Sequence, residues 1–165
     1  MLSKEDFQNA MARFTAAVTI VTTTDDGEPV GMVATSVCSL SAEPPSLIAC
    51  INKNTSAHDP ILRNRIFAVN LLADSQAHLV RHFMGKKGTE RFEAGAWDSM
   101  VTGAPVVNGA VAVFDCELTN ACDGFSHTIL IGRIIDMRIA SDKDQGECLL
   151  WHRREFAKVA SYAQS

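Results

Sequence analysis

The stretch Val18-Thr19-Ile20-Val21-Thr22-Thr23-Thr24-Asp25-Asp26-Gly27 decides the fold class. Its first seven residues are all β-branched, and β-branched side chains favour extended backbone. It ends in Asp25-Asp26-Gly27, where the glycine can supply the positive φ that a tight turn needs. Residues 30–37 then resume an apolar pattern. The sequence therefore predicts a β-hairpin across this region.

Further short strands are predicted along the chain, at residues 46–51, 66–72, 111–119 and 128–139. The last two would pair across a break at residues 122–124. Helical patterns are fewer, and they fall at residues 7–14, 58–64 and 76–84. Asp74 or Ser75 can cap the third helix and Gly85 can end it. Residues 85–109 are predicted to be mainly loop around Trp97, and residues 149–156 are ambiguous between strand and helix.

This element pattern favours a mainly β fold, closed or nearly closed as a barrel, over a layered α/β sheet. A parallel dinucleotide-binding sheet would need helices between most strands and a G-x-G-x-x-G after the first strand, and the chain has no such motif. Its length of 165 residues predicts one domain spanning residues 1–165.

Composition narrows the classes of function. Hydrophobic residues make up 47% and charged residues 21%, as in ordinary globular domains. The formal net charge is −4 with no basic block, so no nucleic-acid partner is expected. No signal-peptide pattern or apolar run of ~18 residues is present, so we expect no membrane association and a cytoplasmic location. The five cysteines include no C-x-x-C pair, and neither a disulfide framework nor a zinc site is predicted.

Two polar clusters follow successive predicted strands. The first contains the hydroxyl residues Thr35, Ser36, Ser39 and Ser41, and the second is Asn52-Lys53-Asn54-Thr55-Ser56-Ala57-His58. Each cluster is compatible with a plain turn or helix cap. The first could also form an uncharged cradle for a ligand, and the second could also form an anion-binding helix start. Two clusters at the ends of successive strands make a shared ligand rim plausible.

The histidines divide into three groups. His78 and His82 have the i, i+4 spacing of a metal pair, but no third ligand is evident, so we interpret them as a solvated helix face and predict no metal site. His58 and His152 lie among polar residues and are predicted to be exposed. His127 follows a glycine turn at the start of an apolar strand, where a barrel would present it to a ligand.

Taken in order, these clusters resemble the short-chain NAD(P)H:flavin oxidoreductases, the flavin reductase-like family with an FMN-binding split barrel. The sequence is most similar to the reductase components of two-component flavin monooxygenases, such as the 4-hydroxyphenylacetate 3-monooxygenase reductase. The resemblance rests on an ordered set of short motifs that covers nearly the whole chain. The motifs are Phe14 with residues 17–23, residues 34–41 with 44–47, residues 50–52 with Ser56, residues 67–72, 81–83, 90–92 and 114–117, and finally His127 and Gly132.

The resemblance implies a Greek-key-like split barrel and a set of flavin-binding residues. The segment from Thr35 to Ser41 would line the isoalloxazine and ribityl chain, and the segment from Cys50 to Ser56 would run beside the ring to the phosphate. Thr55 and Ser56 are the implied phosphate donors, with Lys86 a further candidate. The implied cofactor-binding set is Thr35, Ser36, Val37, Cys38, Ser39, Ser41, Cys50, Ile51, Asn52, Thr55, Ser56 and Lys86.

The family places a histidine of a Gly-Asp-His or Gly-Thr-His motif near the nicotinamide and the flavin edge, and His127 falls at that position as the catalytic candidate. This chain departs from the motif, since it has Gly124-Phe125-Ser126-His127. Phe125 is therefore a second candidate for covering the nicotinamide site.

The implied activity is hydride transfer from NADH or NADPH to FMN or FAD, which supplies reduced flavin to a separate oxygenase component. The resemblance also implies a homodimer with the flavin sites near the subunit interface. Two alternatives remain open: a flavin- or haem-binding barrel without turnover, and a barrel that serves only assembly.

Overall fold

The computed structural model describes residues 1–141 and 146–160. Three α-helices are present in these residues: α1 (Lys4–Met11), α2 (His58–Asn64) and α3 (Ala77–Gly85). The strands are β1 (Ala16–Ala17), β2 (Thr19–Asp25), β3 (Glu28–Ala34), β4 (Val37–Ala42), β5 (Pro45–Asn52), β6 (Ile66–Leu71), β7 (Trp97–Ser99), β8 (Pro105–Val107), β9 (Ala112–Gly124), β10 (His127–Ile139), β11 (Leu150–His152) and β12 (Glu155–Ala157). The predicted mainly β class with a few helices is confirmed.

A seven-stranded antiparallel sheet in the order β3-β2-β6-β9-β10-β5-β4 dominates the fold. The sheet curls, because Ala34 at one end of this order and Leu47 near the other end share a buried core with Phe67 and Leu130. Its outer strands, β3 and β4, form no ladder with each other within the described residues, so the sheet is not closed as a barrel. The result is the predicted split-barrel type of arrangement rather than a closed barrel.

The hairpin predicted from the threonine-rich stretch forms as β2 and β3, with Thr19 paired to Ala34 and Asp25 to Glu28. Asp26 and Gly27 take positive φ at its turn (49° and 87°), which matches the two-residue turns that suit twisted strands. On its other edge β2 pairs with β6. The β-branched run is therefore an inner strand, with Thr19 to Thr23 buried.

The helices form where the patterns place them. Ser3 caps α1 by accepting a hydrogen bond from the Asp6 amide at 3.0 Å, and α3 ends at Gly85. The predicted cap of α3 by Asp74 or Ser75 is wrong, because a short 3-10 turn, Asp74–Gln76, leads into the helix and no side chain caps it.

Three further expectations are corrected or settled. The break expected at residues 122–124 is wrong, because β9 continues to Gly124 and the turn falls at Phe125 and Ser126. The segment expected to be loop contains a 3-10 turn, Gly88–Glu93, and the β7–β8 hairpin, since Trp97 and Phe92 pack at 4.8 Å between ring centroids. The ambiguous tail forms the β11–β12 hairpin. No helix in the described residues combines the length and apolar character needed to cross a bilayer.

Candidate functional site

Two adjoining cavities lie beside strand β3 and the loop that follows β5. The large cavity has a volume of about 630 Å³ and the small cavity about 390 Å³. Both volumes fall in the range of ~300–1,000 Å³ typical of small-molecule sites. The residues that line both cavities are Met32, Val33, Thr35, Asn54 and Thr55. A single extended ligand could therefore occupy both.

The small cavity is polar and is assembled by strand pairing. Its wall includes Thr35 and Ser36 between β3 and β4, Cys50 and Asn52 at the end of β5, and His127 at the start of β10. The β5–β10 ladder sets His127 opposite Asn52, and the Cys50 amide donates to the Ser36 carbonyl at 2.9 Å. The sheet thus brings residues that are far apart in sequence to one rim.

Among the described residues, no Asp, Glu, Lys or Arg side chain lines this rim. Burial, and secondarily the nearby Cys38, raises the pKa of the Cys50 thiol above its ordinary value, so the thiol stays protonated at neutral pH. The Nδ1 atom of His127 lies 2.9 Å from the Ser126 hydroxyl oxygen, which leaves Nε2 as the ring nitrogen available to a ligand. The cavity is therefore suited to a polar, uncharged ring with hydrogen-bonding edges.

The large cavity is lined by both polar and apolar side chains. The polar ones include Ser56 from the loop before α2, Lys87 after α3, and Arg91 from the 3-10 turn. Arg91 is fixed because its Nη1 donates to the Gly31 carbonyl at 2.8 Å and its Nε to the Lys86 carbonyl at 3.0 Å. Hydroxyls beside two cations favour a phosphate group.

The structure places the predicted site residues in different surroundings. Those that line the two adjoining cavities are Thr35, Ser36, Cys50, Asn52, Thr55, Ser56 and His127. Val37, Cys38 and Ser39 line a separate depression of about 250 Å³, because they continue along the edge strand β4. Ser41 donates to the Glu43 carbonyl at 2.9 Å, and Ile51 is fully buried in the core.

Lys86 lies 3.4 Å from the Glu90 carboxylate, and it is the neighbouring Lys87 that lines the large cavity. Sequence reasoning also left Arg91 and Trp151 unassigned, although both line this cavity. For Arg91 a signal was present, since the motif at residues 90–92 contributed to the family resemblance. For Lys87 no signal was present, because the sequence does not show which of the adjacent residues Lys86 and Lys87 faces the cavity.

The expectation that His58 is exposed is wrong. The residue is only 8% exposed, and its Nδ1 lies 2.6 Å from Asp59 Oδ1 while its Nε2 lies 2.9 Å from Thr128 Oγ1. Its polar sequence neighbours suggested solvent, but α2 turns the ring toward β10. His58 therefore connects the loop that carries Thr55 and Ser56 to the strand that begins with His127.

Replacing Thr128 with valine should cost about 1–3 kcal/mol of stability, because the buried Nε2 of His58 would lose its partner. Chemical denaturation of the variant measures this loss. Thr128→Ser is the matched control, since it retains the hydroxyl, and it should lose less than half as much. Equal losses in both variants would show that the methyl group of Thr128, and not its bond to His58, stabilises this connection.

The sequence matches known proteins along nearly its whole length. The family described as "Flavin reductase like domain" matches residues 11–160. A curated relative from Agrobacterium fabrum, named FMN reductase (NADH) RutF, is 42% identical over 152 residues, which are 92% of this chain and 86% of the relative.

Solved structures show the same fold. An NADH:FAD oxidoreductase from Streptomyces globisporus, in complex with NAD and FAD fragments, superposes with a TM-score of 0.89 at 29% identity and covers 98% of this chain and 96% of its own. The flavin reductase component of a bacterial two-component tryptophan halogenase superposes with a TM-score of 0.86 at 27% identity. This match covers 97% of the present chain and 100% of the halogenase component.

Proposed function

Since the chain belongs to the flavin reductase-like family, we propose that it is an NADH-dependent reductase of FMN. The observation that carries this proposal is the pair of adjoining cavities: the small cavity is polar, and the large cavity bears hydroxyls and two cations. This combination of chemistry matches a flavin mononucleotide, which has a planar polar ring at one end and a phosphate at the other. The curated relatives named FMN reductase (NADH) support the choice of FMN and NADH.

The residues present fit such a ligand. Thr35, Ser36, Cys50 and Asn52 would hold the ring, and Thr55 and Ser56 with Lys87 and Arg91 would hold the phosphate. The donor set supports this assignment, because the hydroxyls and the two cations converge on one cavity. No carboxylate lines either cavity among the described residues, so a bound phosphate would meet no like charge there.

Bound flavin supplies the hydride-accepting chemistry, and the protein's part is to hold two rings together and to exclude water. The polar wall around Cys50 would orient the flavin edge, and the Ser126 hydroxyl, which lies 2.9 Å from Nδ1 of His127, would hold this imidazole at the cavity wall. From that position His127 can donate a hydrogen bond to the nicotinamide carboxamide or to the flavin edge.

The proposal is tested by measuring NADH oxidation at 340 nm with the purified protein and added FMN. Turnover that requires both substrates is the expected result. A yellow or haem-containing protein whose spectrum NADH leaves unchanged would instead establish a cofactor-binding barrel without turnover. FAD and NADPH serve as comparison substrates, and we expect lower kcat/KM with NADPH.

Replacing His127 with alanine should reduce kcat/KM for NADH by about 10–100-fold, the loss expected when a buried polar group is left without a hydrogen bond worth about 1–3 kcal/mol. The dissociation constant for FMN should change less than threefold. Steady-state kinetics and an FMN fluorescence titration measure the two quantities. His78→Ala, on the exposed side of α3, is the control and should leave both unchanged. If His127→Ala lowered kcat/KM for NADH and the affinity for FMN by the same factor, His127 would have a structural role instead.

We propose a homodimer, because α1 exposes a large apolar surface. None of its residues is buried, and Phe7 and Met11 are 54% and 47% exposed, with Phe14 beyond the helix end at 69%. An amphipathic helix needs a surface to cover its apolar face. Light scattering should give a molar mass twice that of one chain. The double variant Phe7→Ser, Met11→Ser should shift the measured mass toward that of the monomer.

We further propose that reduced flavin passes from this protein to a separate oxygenase. A solved neighbour that is the reductase component of a two-component halogenase supports this role. A cytoplasmic location is part of the same proposal, and the five cysteines, all free in the structure, support a reducing compartment.

A further inference from the structure

The loop between β5 and α2 is fastened to the turn that precedes β10. This loop, residues 53–57, carries the two hydroxyls assigned to the phosphate, and the turn consists of residues 125 and 126. At the start of the loop, the Lys53 amide donates to the Ser126 carbonyl at 3.1 Å. The Lys53 ammonium also forms an ion pair with the Asp123 carboxylate. These contacts connect the loop and the turn at the protein surface.

A second, buried connection lies at the other end of the loop. The amide of the buried His58 donates to the Thr55 carbonyl at 3.2 Å. Its Nδ1 faces the carboxylate of Asp59, and a carboxylate only accepts hydrogen bonds, so Nδ1 carries the proton. Nε2 of the neutral ring then accepts from the Thr128 hydroxyl at 2.9 Å. These buried groups stay satisfied only while the loop and β10 keep their present positions.

Together the two connections bracket His127. Asp123 lies four residues before it and Thr128 directly after it, and the β5–β10 ladder pairs it with Asn52, which directly precedes the loop. The Thr128 side chain is buried, and successive side chains of a strand point to opposite faces, so His127 points the other way and lines the small cavity. Fixing the loop therefore fixes the segment that places the imidazole.

A phosphate at the loop would strengthen both connections. Lys53, Asn54 and Ser56 are exposed, so packing contributes little to the conformation of the loop. A phosphate held by Thr55 and Ser56 favours the one loop arrangement that presents both hydroxyls to it. Binding energy gained at a remote group of a substrate can in this way order the groups at the reacting centre.

We propose that His58 and Asp123 are positioning residues for His127, which make its placement depend on a phosphate bound at the loop. The inference rests on the proposed function, because it takes the flavin phosphate to lie at Thr55 and Ser56. It adds to that function that the phosphate, remote from the reacting ring, contributes to the rate of hydride transfer and not only to flavin affinity.

The connection is tested first without turnover, by amide hydrogen exchange of the ligand-free protein with inorganic phosphate. At about twice its dissociation constant, phosphate should slow exchange by about 3-fold in residues 52–58 and also in residues 123–128, relative to sodium chloride of equal ionic strength. In the double variant Asp123→Asn, Thr128→Val, which removes both connections, only residues 52–58 should slow. Slowing confined to residues 52–58 in the wild-type protein, or no slowing anywhere, would overturn the proposal.

Stopped-flow kinetics then test whether His127 responds to the phosphate. With saturating NADH, the wild-type protein should reduce riboflavin, which lacks the phosphate, about 10-fold more slowly than FMN, within the range typical of coupling between sites. His127→Ala should shrink this difference to less than about 3-fold, because the phosphate then has no imidazole to place. Equal rates for the two flavins in the wild-type protein, or an undiminished difference in His127→Ala, would contradict the positioning role.

Matched variants separate positioning from general destabilisation. Asp123→Asn should lower the rate with FMN and leave the rate with riboflavin unchanged, whereas Asp123→Glu, which retains the charge, should stay near wild type. Thr128→Val should act like Asp123→Asn, and Thr128→Ser should resemble wild type. Glu117→Gln is the control, because it breaks an ion pair between the same two strands, with Arg133, and lines neither cavity. If Asp123→Asn slowed both flavins alike, Asp123 would only stabilise the fold, contrary to the proposal.

The two levels of inference fail separately. If the wild-type protein oxidises no NADH with FMN or with riboflavin, the proposed reductase function is wrong, and the exchange experiment still decides whether phosphate at the loop orders residues 123–128. If both flavins are reduced at the same rate, only the positioning role is wrong.

Discussion

Replacing Ser56 with aspartate is expected to weaken FMN binding by about 50-fold. The new carboxylate would stand at the wall of the cavity that Thr55, Lys87 and Arg91 also line. Two like charges ~4 Å apart, here the carboxylate and the phosphate, repel by several kcal/mol at an effective dielectric constant of ~20. Ser56 is exposed, so solvent weakens that repulsion and the expected loss of affinity is smaller than the full repulsion would give. Equilibrium titration of FMN fluorescence measures the loss.

Two controls isolate the electrostatic contribution. Ser56→Ala removes only one hydroxyl and should cost a few-fold in affinity, whereas Ser75→Asp adds the same charge at an exposed position that lines neither cavity and should have no effect. The loss in Ser56→Asp should also shrink as salt concentration rises, since salt screens exposed charges. Unchanged affinity at low salt would remove residues 52–56 from the phosphate site.

Replacing Gly132 with alanine is expected to destabilise the fold by about 3 kcal/mol, at the upper end of overpacking costs. A Cβ at this position of β10 would clash with Cζ of Phe67, and it would stand 2.9 Å from Cε1 of the same ring and 3.2 Å from Cβ of Cys116. Phe67 is fully buried in the core inside the curled sheet, so its ring has little room to move. Urea denaturation should show the loss as a lower midpoint with an unchanged slope.

Gly85→Ala is the matched control for Gly132→Ala, because a Cβ there meets no atom within 4 Å and the residue does not need positive φ. Its stability should change by less than ~1 kcal/mol. Combining Gly132→Ala with Phe67→Leu should recover part of the loss, since the smaller side chain vacates the contested space. A Gly132→Ala protein as stable as wild type would mean that β10 shifts locally to admit the methyl group.

The local elements could be predicted because their signals are local. The β-branched run of β2 and its Asp26-Gly27 turn lie within ten residues, and Ser3 and Asp6 mark the start of α1 within four. The position of the β9–β10 turn was missed for a related reason. Gly124 suggested a turn, but Phe125 takes the positive φ of 64° instead, and a phenylalanine gives no signal for that conformation.

The site was only partly predictable, since it depends on which way side chains face in three dimensions. Residues 35 and 36 lie at the bend before β4 and line the cavities, whereas residues 37–39 have already entered the edge strand and line another depression. Similarly, Lys86 and Lys87 are adjacent in sequence, yet only the second lines the cavity. The burial of His58 depends on Thr128, seventy residues away, and no local pattern could indicate that contact.

The β5–β10 ladder, which sets Asn52 opposite His127, has a consequence for how the chain folds. Its two strands are separated by about half of the sequence, so their pairing carries a large loop-closure entropy and is expected to form late, after the local hairpins. Until it forms, the halves of the small cavity are apart and no partial pocket exists. A ligand that needs both halves therefore selects the completed native state, and it would slow unfolding without accelerating folding.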